Sequence, residues 1–114
     1  MRRVEKPWGE EVIFAETPSY AGKILLVKKG EILSLQYHQK KDETLYLSRG
    51  RVRLWIEEGG ALVESLMVPG DSRHVPPFTR HRMEALEDSE IFEVSSPELD
   101  DVVRLEDRYG RVPD

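Results

Sequence analysis

The chain has 114 residues, with 17 Lys+Arg against 22 Asp+Glu, so its formal net charge is −5. That length suits one compact domain. The acidity argues against nucleic acid as the main partner, because phosphate neutralisation needs a basic face. No cysteine is present, which excludes disulfides, thiolate metal sites and Cys nucleophiles together.

In chain order, Met1 to Pro7 lacks the apolar stretch of a secretory signal. No apolar run approaches the roughly 20 residues of a membrane helix. No membrane partner and a cytoplasmic location are therefore the expectation. Short runs rich in Val, Ile, Leu and aromatics then predict strands over 11–15, 23–28, 32–38, 44–48, 52–57, 62–67, 82–86 and 91–95. Lys29-Gly30 and Arg49-Gly50 end two of these runs. Glu58-Gly59-Gly60 reads as a hairpin turn and Pro69-Gly70-Asp71 as a second turn. Residues 99–108 are the best helical candidate, with an acidic start at Asp100-Asp101, although Val102, Val103 and Leu105 fit a strand equally. Eight short strands predict an all-β sandwich or barrel, a jelly roll being the obvious form. Asparagine is absent, methionine is rare and charges are many, a thermophile-like bias.

Polar residues at metal-ligand spacing stand out in this pattern. Gln36 and His38 are two apart on a predicted strand, so they share a face with Ser34, while Leu33, Leu35 and Tyr37 share the reverse. An apolar reverse calls for cover by another sheet layer or another subunit. Glu43 opens the next strand, and His81 opens a later one after a proline-rich loop. Two imidazoles, a carboxylate and an amide oxygen suit Zn²⁺, Fe²⁺, Mn²⁺, Co²⁺ or Ni²⁺. On local pattern alone, Gln36 and His38 also fit a solvent face.

The spacing Gly30…Gln36-Tyr37-His38…Glu43…Gly50, followed by Gly70…Pro76…His81, resembles the two motifs of the cupin family. Lys6-Pro7-Trp8-Gly9, the run Leu33 to His38, and the tail Asp100 to Arg111 are similar to one subgroup, the cupin domain of type II mannose-6-phosphate isomerases. In bifunctional relatives that domain follows a mannose-1-phosphate guanylyltransferase domain, and nothing here resembles the latter's Gly-rich signature.

The resemblance implies a single domain over 1–114: a double-stranded β-helix barrel over about 23–95, an N-terminal segment 6–20 and a tail 98–114. It implies one divalent metal ion, Zn foremost, on Gln36, His38, Glu43 and His81. The implied reaction interconverts mannose 6-phosphate and fructose 6-phosphate. Lys41, Arg80 and Arg82 are the candidate phosphate cations, with Arg104 behind them. Lys41 and Glu84 are the candidate proton-transfer groups, with Glu64 a further carboxylate of the same chemistry. His74, Trp8 and Trp55 read as loop or packing residues, and the tail reads as structural.

This chain departs from the family at Phe78, where Gly is usual, at Ala85, at Thr44-Leu45, and at Lys41, where the subgroup has Arg. These departures spare the ligand set and touch the substrate set. Two other readings follow: a non-catalytic sugar or sugar-phosphate binder, and another cupin metalloenzyme such as a dioxygenase. Apolar reverse faces and small size predict a homodimer.

Overall fold

A computed structural model describes residues 1–112. These residues form eleven strands in two antiparallel sheets. One sheet orders β1 (Arg2–Lys6), β2 (Gly9–Glu16), β3 (Ala21–Val27), β10 (Ser89–Ser95), β5 (Glu43–Arg49) and β8 (Ser72–Val75). The other orders β11 (Val103–Glu106), β4 (Leu35–Tyr37), β9 (His81–Ala85), β6 (Val52–Glu58) and β7 (Ala61–Met67). The all-β jelly roll read from the sequence is the fold found. No described residue is helical, and residues 99–108 resolve to β11 and its flanking turns.

Strand alternation builds the barrel. On β6, Val52, Leu54 and Ile56 are buried between partly exposed neighbours, the period-two pattern of a strand with one face inward. Trp8, Leu25, Leu47, Leu54, Met67 and Ile91 fill the apolar half of the interior. Gly59 and Gly60 have φ of 58° and 84° and join β6 to β7 with a two-residue loop. That is the left-handed pair a type I′ hairpin needs, matched to strand twist.

Three expectations need correction. β1 and β8 were not predicted, because β1 carries one apolar residue (Val4) and β8 one (Val75), and ladder bonds rather than apolar pattern hold them. The predicted strand over 32–38 is regular only at β4; Ile32 makes an isolated bridge to Glu84. Its two faces therefore do not separate cleanly, and Leu33 lines the same cavity as Ser34, Gln36 and His38.

The inward face changes character along the central strands. On β3 it runs Val27, Leu25, Lys23; on β10, Ile91, Glu93; on β5, Leu47, Leu45, Glu43. All of these are buried. One end of the barrel is thus an oily core, and the other is a charged cavity.

Candidate metal centre and its charged cavity

Three of the four expected ligands converge in that cavity. His38 follows β4, Glu43 opens β5 and His81 opens β9. His38 Nε2 lies 3.2 Å from Glu43 Oε1, and His81 Nε2 lies 3.1 Å from the same oxygen. The three ligating atoms all lie within 4.8 Å of one another, and all three residues are buried.

The outer ring nitrogens fix this arrangement. His38 Nδ1 contacts the backbone carbonyl of Asp101 at 2.6 Å, and His81 Nδ1 contacts that of Thr79 at 3.0 Å. A carbonyl only accepts, so each Nδ1–H donates to it, and Nε2 is the ring nitrogen that faces Glu43. Without a metal, a protonated ring donates from Nε2 to this carboxylate; a metal would replace that proton and take both nitrogens and the oxygen as donors. Imidazoles anchored through Nδ1–H on carbonyls are the usual outer support of a metal site. This donor set fits a divalent cation.

Gln36 stands one step aside. It pairs with His81 across the β4–β9 ladder and lines the cavity. However, its Oε1 accepts a hydrogen bond from Ser34 Oγ at 2.6 Å.

Asp101 organises the ligand loop. Its carboxylate accepts the backbone N–H groups of Gln39 (3.1 Å), Lys40 (2.7 Å) and Lys41 (2.9 Å). Partial burial pushes this carboxyl up, but the three donors outweigh that and hold it below the usual Asp value. Phe78 N–H donates to His38 O at 2.6 Å, which ties the proline-rich loop to the same ligand. Phe78 has φ 61°, so the backbone keeps a left-handed turn where the family has Gly. Its ring stacks on Tyr37 at a centroid separation of 6.3 Å.

Behind the ligands runs a buried chain of alternating charges. Lys41 Nζ lies 3.1 Å from Glu43 Oε2 and 2.8 Å from Glu93 Oε2. Lys23 Nζ lies 4.0 Å from Glu93 and 3.1 Å from Glu11, which also faces Lys6 at 3.6 Å. Burial works against the Lys41 ammonium, but Glu93 and Glu43 more than offset it and raise its pKa. Burial and the Glu43 charge push Glu93 up against the pull of Lys41 and Lys23. Burial likewise opposes the Glu43 charge, yet His38, His81 and Lys41 hold it well below the ordinary Glu value.

The remaining expected site residues divide. Lys41 and Arg82 line the cavity, but Lys41 is buried between two carboxylates. Arg82 donates to the Leu33 carbonyl at 2.9 Å and pairs with Glu106. Arg80 does not line the cavity; it pairs with Glu57 at 3.3 Å. Glu84 and Glu64 both turn to Arg53, outside the cavity. His74 is exposed and bonds Asp42.

Sequence reasoning passed over Lys23, Glu93, Glu11 and Arg111, all of which line the cavity. Strand parity held the signal: Lys23 shares a face with Leu25 and Val27, and Glu93 with Ile91. The tail also does more than tie down the C-terminus, because Leu99, Val102, Arg104 and Arg111 form one wall.

A two-sheet barrel with a His/Glu/His cluster at its open end defines a cupin. KdgF from Halomonas sp. has a similar fold, with a TM-score of 0.76 and 25% identity over 85% of this chain and 86% of that one. An oxalate decarboxylase of Bacillus subtilis superposes with a TM-score of 0.78 at 21% identity, over 92% of this chain and 30% of that one. The mannose-6-phosphate isomerase C-terminal family matches residues 1–107, and the chain belongs to it. Relatives include a mannose-1-phosphate guanylyltransferase ManC of Salmonella typhimurium, 35% identical over 97% of this chain and 23% of the relative. The xanthan biosynthesis protein XanB of Xanthomonas campestris is 30% identical over 96% of this chain and 24% of its own length. The chain thus spans about a quarter of the length of these relatives.

Proposed function

We propose that the chain is a metal-dependent sugar-phosphate isomerase that interconverts mannose 6-phosphate and fructose 6-phosphate. The observation that carries this reading is the cavity's charge. Six cations line it (Lys6, Lys23, Lys41, Arg82, Arg104 and Arg111) against three carboxylates (Glu11, Glu43 and Glu93). Glu106 and Asp107 answer Arg82 and Arg111 from outside the lining, which leaves one positive charge in excess in a protein that is acidic at −5 overall, and that local excess suits a small anionic ligand. Membership of the mannose-6-phosphate isomerase C-terminal family supports a sugar phosphate as the substrate class. The proposal concerns only the quarter of the guanylyltransferase relatives that the chain matches, and assigns no nucleotidyl transfer to it.

Isomerisation moves a proton between C1 and C2 of the open-chain sugar. His38, Glu43 and His81 would hold the cation, with Gln36 beside them. When bound, it supplies Lewis-acid stabilisation of the negative charge that develops on the sugar oxygens. The proton needs a group whose pKa lies above the usual carboxylate range. Glu43 is committed to the ligand set, and Glu93 meets two lysines, Lys41 and Lys23, as Glu11 meets Lys6 and Lys23, but burial and the Glu43 charge raise Glu93 despite them. Glu93, raised by burial, is the carboxyl of this cavity best suited to move it.

A coupled assay with mannose 6-phosphate tests the reading across Zn²⁺, Mn²⁺, Co²⁺, Fe²⁺ and Ni²⁺. Turnover with one of them supports it, and Glu93→Gln should then lower kcat with metal content kept. No turnover with any of them removes it. The commitment of Lys41 to two carboxylates, where the subgroup has Arg, favours as second reading a sugar-phosphate binder without turnover. Calorimetric binding of mannose 6-phosphate without conversion would select that one.

Homodimerisation belongs to the same reading. The outer face of the six-stranded sheet carries Ile24, Phe92 and Tyr46 in one cross-strand row. Exposed Phe14 and Val94 lie close by on the same sheet. A second copy is the cover we propose, and a monomer by light scattering would contradict it.

A further inference from the structure

We propose that Arg104, supported by Arg111, is the oxyanion seat of the cavity and takes the terminal phosphate of a phosphorylated six-carbon ligand. The ligand's identity rests on the sugar-phosphate reading above, while the position of the seat rests on the burial, pairing and strand register of Arg104.

Five of the six cavity cations have a carboxylate within 4.0 Å. Lys6 has Glu11, Lys23 has Glu11 and Glu93, Lys41 has Glu43 and Glu93, Arg82 has Glu106, and Arg111 has Asp107. Arg104 alone has none among the described residues, and its Nε is buried without a hydrogen-bond partner. A buried guanidinium N–H with no acceptor is costly to keep. Burial and the Arg111 charge weaken its hold on its proton, outweighing the more distant pull of Asp107 and Glu11. An oxyanion in the cavity that both line would give the Arg104 Nε–H an acceptor and offset the two like charges.

Arg111 is held in place for this role. Its Nε and Nη2 donate to Asp107 at 2.8 and 3.1 Å, and its backbone N–H donates to the same carboxylate at 2.7 Å. A planar guanidinium offers phosphate two parallel N–H donors, which an ammonium does not.

The ladder supplies a ruler. Arg104 pairs with Gln36 on the neighbouring strand, and Gln36 pairs with His81 on the next. Residues paired across strands share a face, so Arg104, Gln36 and His81 form one row. Arg104 and His81 are two strand spacings apart, roughly 10 Å between backbones. That separation suits a six-carbon chain whose reacting oxygens lie at His38, Glu43 and His81 and whose phosphate is at its far end.

The test titrates inorganic phosphate, mannose 6-phosphate and mannose into the zinc-loaded protein by calorimetry. Arg104→Ala should weaken both phosphate-bearing probes by roughly tenfold to a hundredfold, as loss of a charged hydrogen-bond donor does. Arg104→Lys should recover part of this, and Arg80→Ala should change nothing. Zinc affinity, measured by chelator competition, should stay within about twofold of wild type in all of them. Phosphate binding that ignores Arg104→Ala, or that is absent from the wild type, overturns the seat. Failure of turnover with Arg104-dependent phosphate binding intact would overturn the isomerase reading and leave the seat standing.

Discussion

Lys41→Met probes the buried charge chain most sharply. The Lys41 side chain is 4% exposed, Glu43 1% and Glu93 8%, so the ammonium neutralises two carboxylates out of water. Its removal strands Glu43 and Glu93 as buried like charges. Breaking a buried pair from one side costs about 3–5 kcal/mol, which for a domain of this size lowers Tm by about 10–20 °C. The replacement is nearly isosteric, so little of this loss is cavity formation. The assay is urea denaturation followed by tryptophan fluorescence in chelator, repeated with Glu93→Gln in the same chain. The double variant should regain a large part of the loss, because it no longer strands a second carboxylate. A single-variant cost below about 1 kcal/mol would refute the reasoning. So would a double variant no more stable than the single one.

Asp101→Ala removes the acceptor for three N–H groups of the ligand loop. It should lower zinc affinity by about tenfold to a hundredfold in a chelator competition, the usual effect of losing outer support. The folded-state pKa values of Asp101 and Asp107 are both depressed. Their stabilisation is therefore complete above the unfolded value of about 3.9 and is lost as pH falls through the lower folded values. Protection of the tail amides, after correction for the intrinsic exchange rate at each pH, should fall over that acid window, and Asp101→Asn should flatten the response. Phe78→Gly relieves a left-handed φ and should leave stability equal or slightly higher, whereas Phe78→Ala keeps the strain, loses the Tyr37 stack and should be less stable by thermal melt.

The candidate ligands were legible in the sequence because their spacing is set by strand ends: Glu43 and His81 each open a strand, and His38 sits just past the end of one. Three separated motifs in order fixed the barrel around them. The rest of the cavity was hidden by a rule that usually works. Lys23 and Glu93 are charged residues on strands, and such residues ordinarily face water. Here they face inward at the end of the barrel where the core gives way to the site, and they are tolerated because each meets opposite charge. Arg80 and Glu84 show the converse. Both lie in or beside the second motif, yet their side chains leave the cavity for Glu57 and Arg53. Proximity in sequence to a ligand gave no information on direction. Arg104 ranked last of the phosphate cations expected from sequence; its row with Gln36 and His81 is visible only through the pairing of β11 with β4, a contact between residues far apart in the chain.

The central claim is that His38, Glu43 and His81 hold one divalent cation. Elemental analysis of the protein as purified, wild type beside His81→Ala, tests it most directly. The account predicts close to one equivalent of a divalent metal in the wild type and its loss in a folded His81→Ala. A wild type that retains and binds no divalent metal, or a variant that keeps the full equivalent, would contradict it.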